Sequence, residues 1–387
     1  FRMSASDNLE AIWAAPFGDS LDALDALMAQ HGRVFLIGAG CSKCAGLPLM
    51  EELTAKVLDS GVLDADTTDI LKGIQDSFTG ASGPNIEDYL SEIIDLLAIA
   101  ERRAERGATD NQVFIKDKRY SGQQLRESAE KIKRTISDII ECGDKKIDVA
   151  VHREFVKAVH RPIRPGKTDG LGCVDYLCLN YDTLLEDALA LERISFSDGL
   201  DGGVTGWWNP SVFERDGLSS RIFKLHGSIN WCEFDGDPLP RRVAGNVNVQ
   251  SEGDKRILIW PASTKYRETQ RDPYAQLAEH GRRALRAVPG SQKILITCGY
   301  RFGDSHINLE IDRALRESEG RLTVVVFTSD NEPQGQLKKW HDDPSITEQI
   351  LIFANRGFFH GSNKTPSDAD LLWWKFENLT RLLGGER

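Results

Sequence analysis

Short apolar runs rich in β-branched residues recur along the chain at 34–37, 174–179, 221–225, 257–260, 293–298, 322–327 and 350–354, most of them closed by Gly, Pro, Asn or His. Most show no polar alternation, the pattern of strands covered on both faces of a parallel sheet. Helical spacing follows several of them. The stretch 50–58 sets Leu53, Val57 and Leu58 on one face, and Leu184, Leu185, Ala188, Leu189 and Leu191 repeat the pattern. Strand then helix, repeated, predicts an α/β fold built on a Rossmann-like, doubly wound parallel sheet.

More than one hundred residues separate the first run from the second, and no convincing strand interrupts them. Ile86, Tyr89, Leu90, Ile93, Ile94, Leu97 and Ala98 keep a helical spacing, as do Leu125, Ile132, Ile136, Ile139 and Ile140. The pattern predicts a helical insertion over 64–164, with loops at 107–117 and 161–172. It would be carried on a Rossmann-like body formed by 32–63 and 165–387. Residues 1–31 form an N-terminal segment with one or two further helices over 9–30.

Composition narrows the class. The chain has 387 residues, 40% hydrophobic and 28% charged, enough to bury a sizeable core in two or three folding units. Asp and Glu number 59 against 48 Lys and Arg, for a net charge of −11. That balance argues against nucleic acid as a main ligand. No apolar run approaches the roughly 18 residues of a membrane helix, and the start lacks the basic-then-apolar pattern of a secretory leader. Seven scattered cysteines read as reduced thiols, so the expectation is a cytoplasmic protein.

The strongest local signal is Gly38-Ala39-Gly40-Cys41-Ser42-Lys43-Cys44-Ala45-Gly46-Leu47-Pro48, directly after the first predicted strand. Glycines there let a backbone approach a ligand phosphate, and a helix starting near Pro48 would offer its N-terminal end to the same charge. A dinucleotide fingerprint needs Gly at position 43, where Lys43 stands, and the same turn can close a strand–helix junction with no ligand. Three later segments sit at predicted strand ends: Asn180-Tyr181-Asp182, His226-Gly227-Ser228, and Gly299 through Asp304. Taken singly, Asn180 could be a helix cap, Asp182 a first-turn acid and His226 a loop histidine. Together they converge on one crevice if the strands are parallel, because ligands of open α/β sheets bind beyond the carboxyl ends of the strands.

Other candidates are weaker. Gly166-Lys167-Thr168 ends like a phosphate-binding loop, but Arg161 stands where its first Gly belongs. Arg161, Arg164 and Lys167 read as a solvated face. The pairs Trp207-Trp208 and Trp373-Trp374 read as core or interface anchors.

In this order, Gly-Ala-Gly-x-Ser-x-x-x-Gly-Leu-Pro, Asn-x-Asp and His-Gly resemble the sirtuins, a family of NAD-consuming enzymes. The segments 180–186, 224–231, 85–88 and 299–308 are most similar to the bacterial sirtuin-like proteins of antiphage defence. The resemblance spans roughly 33–310. It implies a Rossmann-like domain with a helical insertion, and NAD+ as substrate. It also implies roles: Gly38, Ala39, Gly40 and Ser42 toward the phosphates, Asp182 toward the carboxamide, Asn180 toward the ribose or attacking water, and His226 as general base. Gly299, Asp304 and Asn308 would line the adenosine end.

The chain also departs from deacylase sirtuins. These carry two Cys-x-x-Cys pairs on a zinc ribbon after the histidine, whereas only Cys232 and Cys298 follow His226. No metal site and no zinc are therefore expected. Pro48-Leu49-Met50-Glu51 replaces the deacylase Pro-Asp-Phe-Arg, and Leu179 replaces Gln before the Asn. The expectation is an NAD+ hydrolase (a glycohydrolase) serving as the effector of an antiphage system by NAD+ depletion. A deacylase and a non-catalytic NAD or ADP-ribose sensor remain as alternatives. A homo-oligomer is expected, with the N-terminal segment and helical insertion offering apolar helices for the contact. The resemblance also implies a separately encoded partner, a HerA/FtsK-type ATPase or else an Argonaute.

Overall fold

The computed structural model describes residues 9–13, 16–79, 83–141, 147–160, 172–203, 205–234, 237–243, 256–259 and 272–385. Two helices, α1 (Glu10–Trp13) and α2 (Gly18–Met28), lead into strand β1 (Arg33–Ile37). A 3-10 turn over Ala39–Ala45 follows, then α3 (Met50–Leu58), α4 (Ala65–Gln75) and α5 (Ile86–Glu105). A hairpin of β2 (Val113–Ile115) and β3 (Lys118–Tyr120) precedes α6 (Gly122–Glu141) and α7 (Ala150–His160).

The second sheet strand of the main body is β4 (Val174–Cys178), followed by α8 (Leu184–Leu191) and β5 (Phe196–Ser197). Next come β6 (Leu200–Asp201), β7 (Thr205–Trp208), β8 (Ser220–Lys224), β9 (Gly227–Phe234), β10 (Asp237–Val243) and β11 (Arg256–Ile259). The chain continues through α9 (Tyr274–Leu285), β12 (Lys293–Cys298), α10 (Ser305–Glu317), β13 (Leu322–Phe327) and α11 (Gly335–His341). It closes with β14 (Ile350–Ala354), β15 (Gly357–His360), β16 (Asn363–Pro366) and α12 (Phe376–Leu383).

These elements form a mixed α/β protein around a nine-stranded sheet ordered β16-β15-β14-β13-β12-β1-β4-β8-β5. All neighbours from β14 to β5 are parallel, and β15 and β16 extend one edge as an antiparallel hairpin. A large, mostly parallel sheet of this kind is consistent with a Rossmann-like architecture. The chain leaves β1 toward β4 on one side and later returns to β12 on the other, so the strand order reverses at β1. A crevice opens at such a reversal.

The central strands are apolar on both faces because both faces are covered. Phe35 and Ile37 of β1 join one core with Met28, Phe155, Val159 and Leu379, whereas Val34 and Leu36 join a second with Leu277, Ile311 and Trp340. Each buried Leu, Ile, Val or Phe contributes on the order of 2 kcal/mol. A third cluster binds α3, α4, α5 and α6 together through Leu53, Ile70, Leu90 and Ile132, and reaches Tyr181 and Ile229. α7 packs with the first core through Phe155, Val156 and Val159.

Several local expectations change. Residues 257–259, read as a strand of the parallel sheet, lie in a separate antiparallel sheet ordered β11-β9-β10-β7-β6, because an apolar run does not specify its partner. The loop expected over 107–117 contains β2, too short for alternation to reveal it. Leu9, Ile12, Phe17, Leu21, Leu24 and Met28 are all buried in the first core. These positions of the N-terminal segment are thus occupied within the chain. Trp208 and Trp373 are core residues and Trp207 is exposed. The segments holding Gly166-Lys167-Thr168 and the basic cluster Arg161, Arg164 and Lys167 lie outside the described residues.

Candidate active site

The glycine turn begins one residue after β1, and the 3-10 turn starts at once, without waiting for α3. Gly46 ends it at φ +92°, with its N–H on the Lys43 carbonyl at 3.0 Å. What approaches the glycines is another backbone. A Cβ at Gly38 would lie 2.6 Å from the Gly299 oxygen, one at Gly40 2.8 Å from the Gly299 Cα, and one at Gly299 2.4 Å from the Cys41 nitrogen. Gly38 N–H donates to the Cys298 carbonyl at 2.9 Å and Gly40 N–H to the Gly299 carbonyl at 3.0 Å. The turns after β1 and β12 are locked together, and only residues without Cβ allow it.

The β4 end inserts beneath this lock. Asn180 Nδ2 donates to the Gly38 carbonyl at 3.1 Å and to Ser42 Oγ at 2.8 Å. Ser42 Oγ donates in turn to Asp182 Oδ2 at 2.6 Å, while Asp182 Oδ1 accepts from Leu184 N–H at 3.1 Å. Ser42, Asn180 and Asp182 are all buried. The Ser42 hydroxyl is therefore a link inside the network, and its proton is directed at Asp182. Asn180 Oδ1 is buried with no partner among the described residues. A buried amide oxygen without a donor costs on the order of 1–3 kcal/mol.

Lys224, the last residue of β8, is fully buried and donates to the Asp182 carbonyl. It also pairs with Glu186 Oε1 at 3.2 Å. Burial works against its charge, but the nearby Cys178, Glu186 and Asp182 hold its pKa above the usual lysine value. The side chain thus ties the end of β8 to the Asn180–Asp182 turn. Two residues on, His226 is buried, and Gly227 at φ +80° turns the chain into β9. The His226 ring lies 6.4 Å from that of Tyr181 and 6.1 Å from that of His306. Tyr181 donates its hydroxyl to Glu87 Oε1 at 2.5 Å, in the first turn of α5. There Asn85 and Asp88 form a reciprocal cap. Burial first, and Glu87 second, hold the Tyr181 phenol well above its usual pKa.

Beyond the β12 turn, Asp304 precedes α10 at the capping position, yet its side chain makes no cap hydrogen bond. Asn308 accepts from Tyr300 Oη at 3.0 Å and donates to the Phe302 carbonyl at 2.7 Å. It braces a loop in which Phe302 has φ +57°. From α7, His152 is buried with Nδ1 unpartnered among the described residues; burial lowers its pKa to about 4, although Asp182 and Asp148 pull the other way.

The glycine turn, Asn180, Asp182, His226, Gly299 and Asp304 all stand at the carboxyl ends of β1, β4, β8 and β12. Beside them is a cavity of about 520 Å3 lined by Leu47, Ile140, Asp182, Asp187, Leu191 and Ile229. A polar network at the carboxyl ends of the strands that flank an order reversal is where α/β sheets bind their ligands. The family model described as a SIR2-like domain matches residues 175–348, from β4 to the turn before β14. This supports a sirtuin-like family, and such a domain implies use of NAD+. The match takes in Asn180, Asp182, His226, Gly299, Asp304 and Asn308. No curated protein matches the chain.

The residues that sequence reasoning missed are Lys224, Tyr181 with Glu87, and His306. Lys224 could have been suspected, since a lysine ending an otherwise apolar strand must find a buried partner.

Proposed function

We propose that the protein cleaves NAD+ at the nicotinamide–ribose bond by hydrolysis, releasing nicotinamide and ADP-ribose. The observation that carries this reading is the Asn180–Ser42–Asp182 network, with Asn180 Oδ1, which has no partner among the described residues, at its end and His226 at the next strand end. Asn180 Oδ1 would accept from a ribose hydroxyl or the attacking water. His226 would take the water proton, a role to which an imidazole is suited near neutral pH. The cavity beside Asp182 has apolar walls with Glu141, Asp182 and Asp187 among them, which suits a flat, cationic nicotinamide ring. Asp182 would accept from its carboxamide. Ala39 and Gly40 would face the phosphates through the exposed side of their turn. Gly299 and Asn308 would line the adenosine end, and Asp304, with a donor atom within 4.8 Å of one on His226, would stand by the nicotinamide ribose instead.

Residues 64–164 are read as an insertion on the body formed by 32–63 and 165–387, with its helical core in α4–α6. The cellular reading follows from the resemblance: a cytoplasmic, homo-oligomeric effector of antiphage defence, held in check by a partner such as a HerA/FtsK-type ATPase. Light scattering should give a mass well above 43 kDa, and co-expression with the neighbouring gene product should give a stable complex. A monomer, fully active alone, would remove the assembly reading and leave the chemistry in place.

The decisive assay incubates purified protein with NAD+ and an acyl-lysine peptide and resolves the products. Nicotinamide with free ADP-ribose supports hydrolysis. Deacylated peptide with O-acyl-ADP-ribose would establish a deacylase instead, and unchanged NAD+ under all conditions a sensor.

A further inference from the structure

His226, Asp304 and His306 come from two separate turns, one after β8 and one leading into α10. Their candidate donor atoms, one per residue, all lie within 4.8 Å of one another. Two imidazoles and a carboxylate are the nitrogen and oxygen donors that zinc-class divalent ions prefer. A tetrahedral ion with bonds of roughly 2.1 Å sets its ligands about 3.4 Å apart. Seating such an ion would draw the three donors together by up to about 1.4 Å. Access also favours the fit. Asp304 and His306 are both half-buried at the crevice, so an ion could enter without unfolding the core. Three protein ligands leave a fourth position open to water, unlike the closed four-ligand sites of structural zinc.

We propose that His226, Asp304 and His306 form a binding site for a divalent transition-metal ion of the zinc class. This places a metal where the cysteine pattern predicts none, because the site owes nothing to cysteine. A second consequence rests on the proposed function. An imidazole nitrogen bonded to a metal cannot take a proton, so the ion acts as a reversible brake on NAD+ cleavage through His226.

Titrating the full chain with Co2+ tests the site directly. The expected result is a single ion per chain with a nitrogen/oxygen visible spectrum and no thiolate charge-transfer band. Affinity should fall at least about tenfold in His306→Ala and in Asp304→Asn, the latter nearly unchanged in volume. Circular dichroism on each variant confirms the fold. Failure of Co2+ to bind, binding with a thiolate spectrum, or equal affinity in folded variants would overturn the site. In a separate measurement, Zn2+ should inhibit NAD+ cleavage by the wild type, and His306→Ala should need at least about tenfold more Zn2+ for the same inhibition. Metal binding without inhibition would overturn the brake. Co2+ binding in a protein that never cleaves NAD+ would uphold the site and remove the proposed function.

Discussion

Ser42 and Asp182 lie 140 residues apart in sequence and 2.6 Å apart in space. That hydrogen bond, with Asn180 on its other side, joins the glycine turn to the β4 end in one buried network. The first expectation concerns this network. Asn180→Ala or His226→Ala should lower NAD+ cleavage by about 10²–10⁴-fold while circular dichroism stays that of the wild type. His226→Ala turning over at near wild-type rate would remove the acid–base assignment.

Gly299→Ala should be among the most damaging single-methyl additions in the protein. The φ of +62° disfavours it, and the new carbon would meet the Cys41 nitrogen at 2.4 Å. A loss of at least about 2 kcal/mol is expected in urea denaturation. Gly303→Ala, with nothing within 4 Å of its Cβ position, is the control and should change stability little. Equal midpoints for the two variants would mean that the turns are not locked.

Lys224→Met strands Glu186 as a buried, uncompensated carboxylate and should cost about 3–5 kcal/mol. Adding Glu186→Leu removes that penalty, so the double variant should be more stable than Lys224→Met alone. Cleavage should stay low in both, because the Asp182 carbonyl has lost its donor in each. A double variant as unstable as the single would show that the pair is not the source of the cost.

Acid should weaken the fold through two histidines, the buried His152 and the half-buried His160. Burial depresses His152 and His160 to about 4 from an unfolded value near 6.5. Between these limits the unfolded chain binds more protons, so the stability present above pH 6.5 is lost as pH falls toward 4. The loss is up to about 3 kcal/mol for a residue as buried as His152. Urea midpoints measured across this window should fall more steeply for the wild type than for His152→Gln. Parallel slopes would contradict the neutral, buried state of His152.

The parallel core was legible because β1, β12, β13 and β14 are near-continuous runs of apolar and β-branched residues, and a doubly covered strand needs no other signal. The antiparallel sheet was not legible. Pro238 and Pro240 interrupt β10, and β6 has only two residues. Asn180, Asp182 and His226 stood out as polar residues directly beyond apolar runs. The role of Gly299 as a steric partner of Gly38 and Gly40 did not, because it depends on how closely β1 and β12 bring two turns together. His306 escaped notice because a ligand triad assembled from distant turns leaves no spacing to read. The Tyr181–Glu87 contact, between β4 and α5, was hidden for the same reason.

β1 is hydrogen-bonded to β12 on one side and to β4 on the other, yet it precedes the matched region 175–348 by more than one hundred residues. A fragment trimmed to that match would be a sheet with its middle removed. The facing edges of β4 and β12 would be left bare, and bare edges recruit strands from other molecules. The border of family likeness and the border of a self-sufficient folding unit therefore differ. A shortened protein that remains soluble must keep β1 and its glycine turn, supplied in the same chain or as a separate complementing peptide.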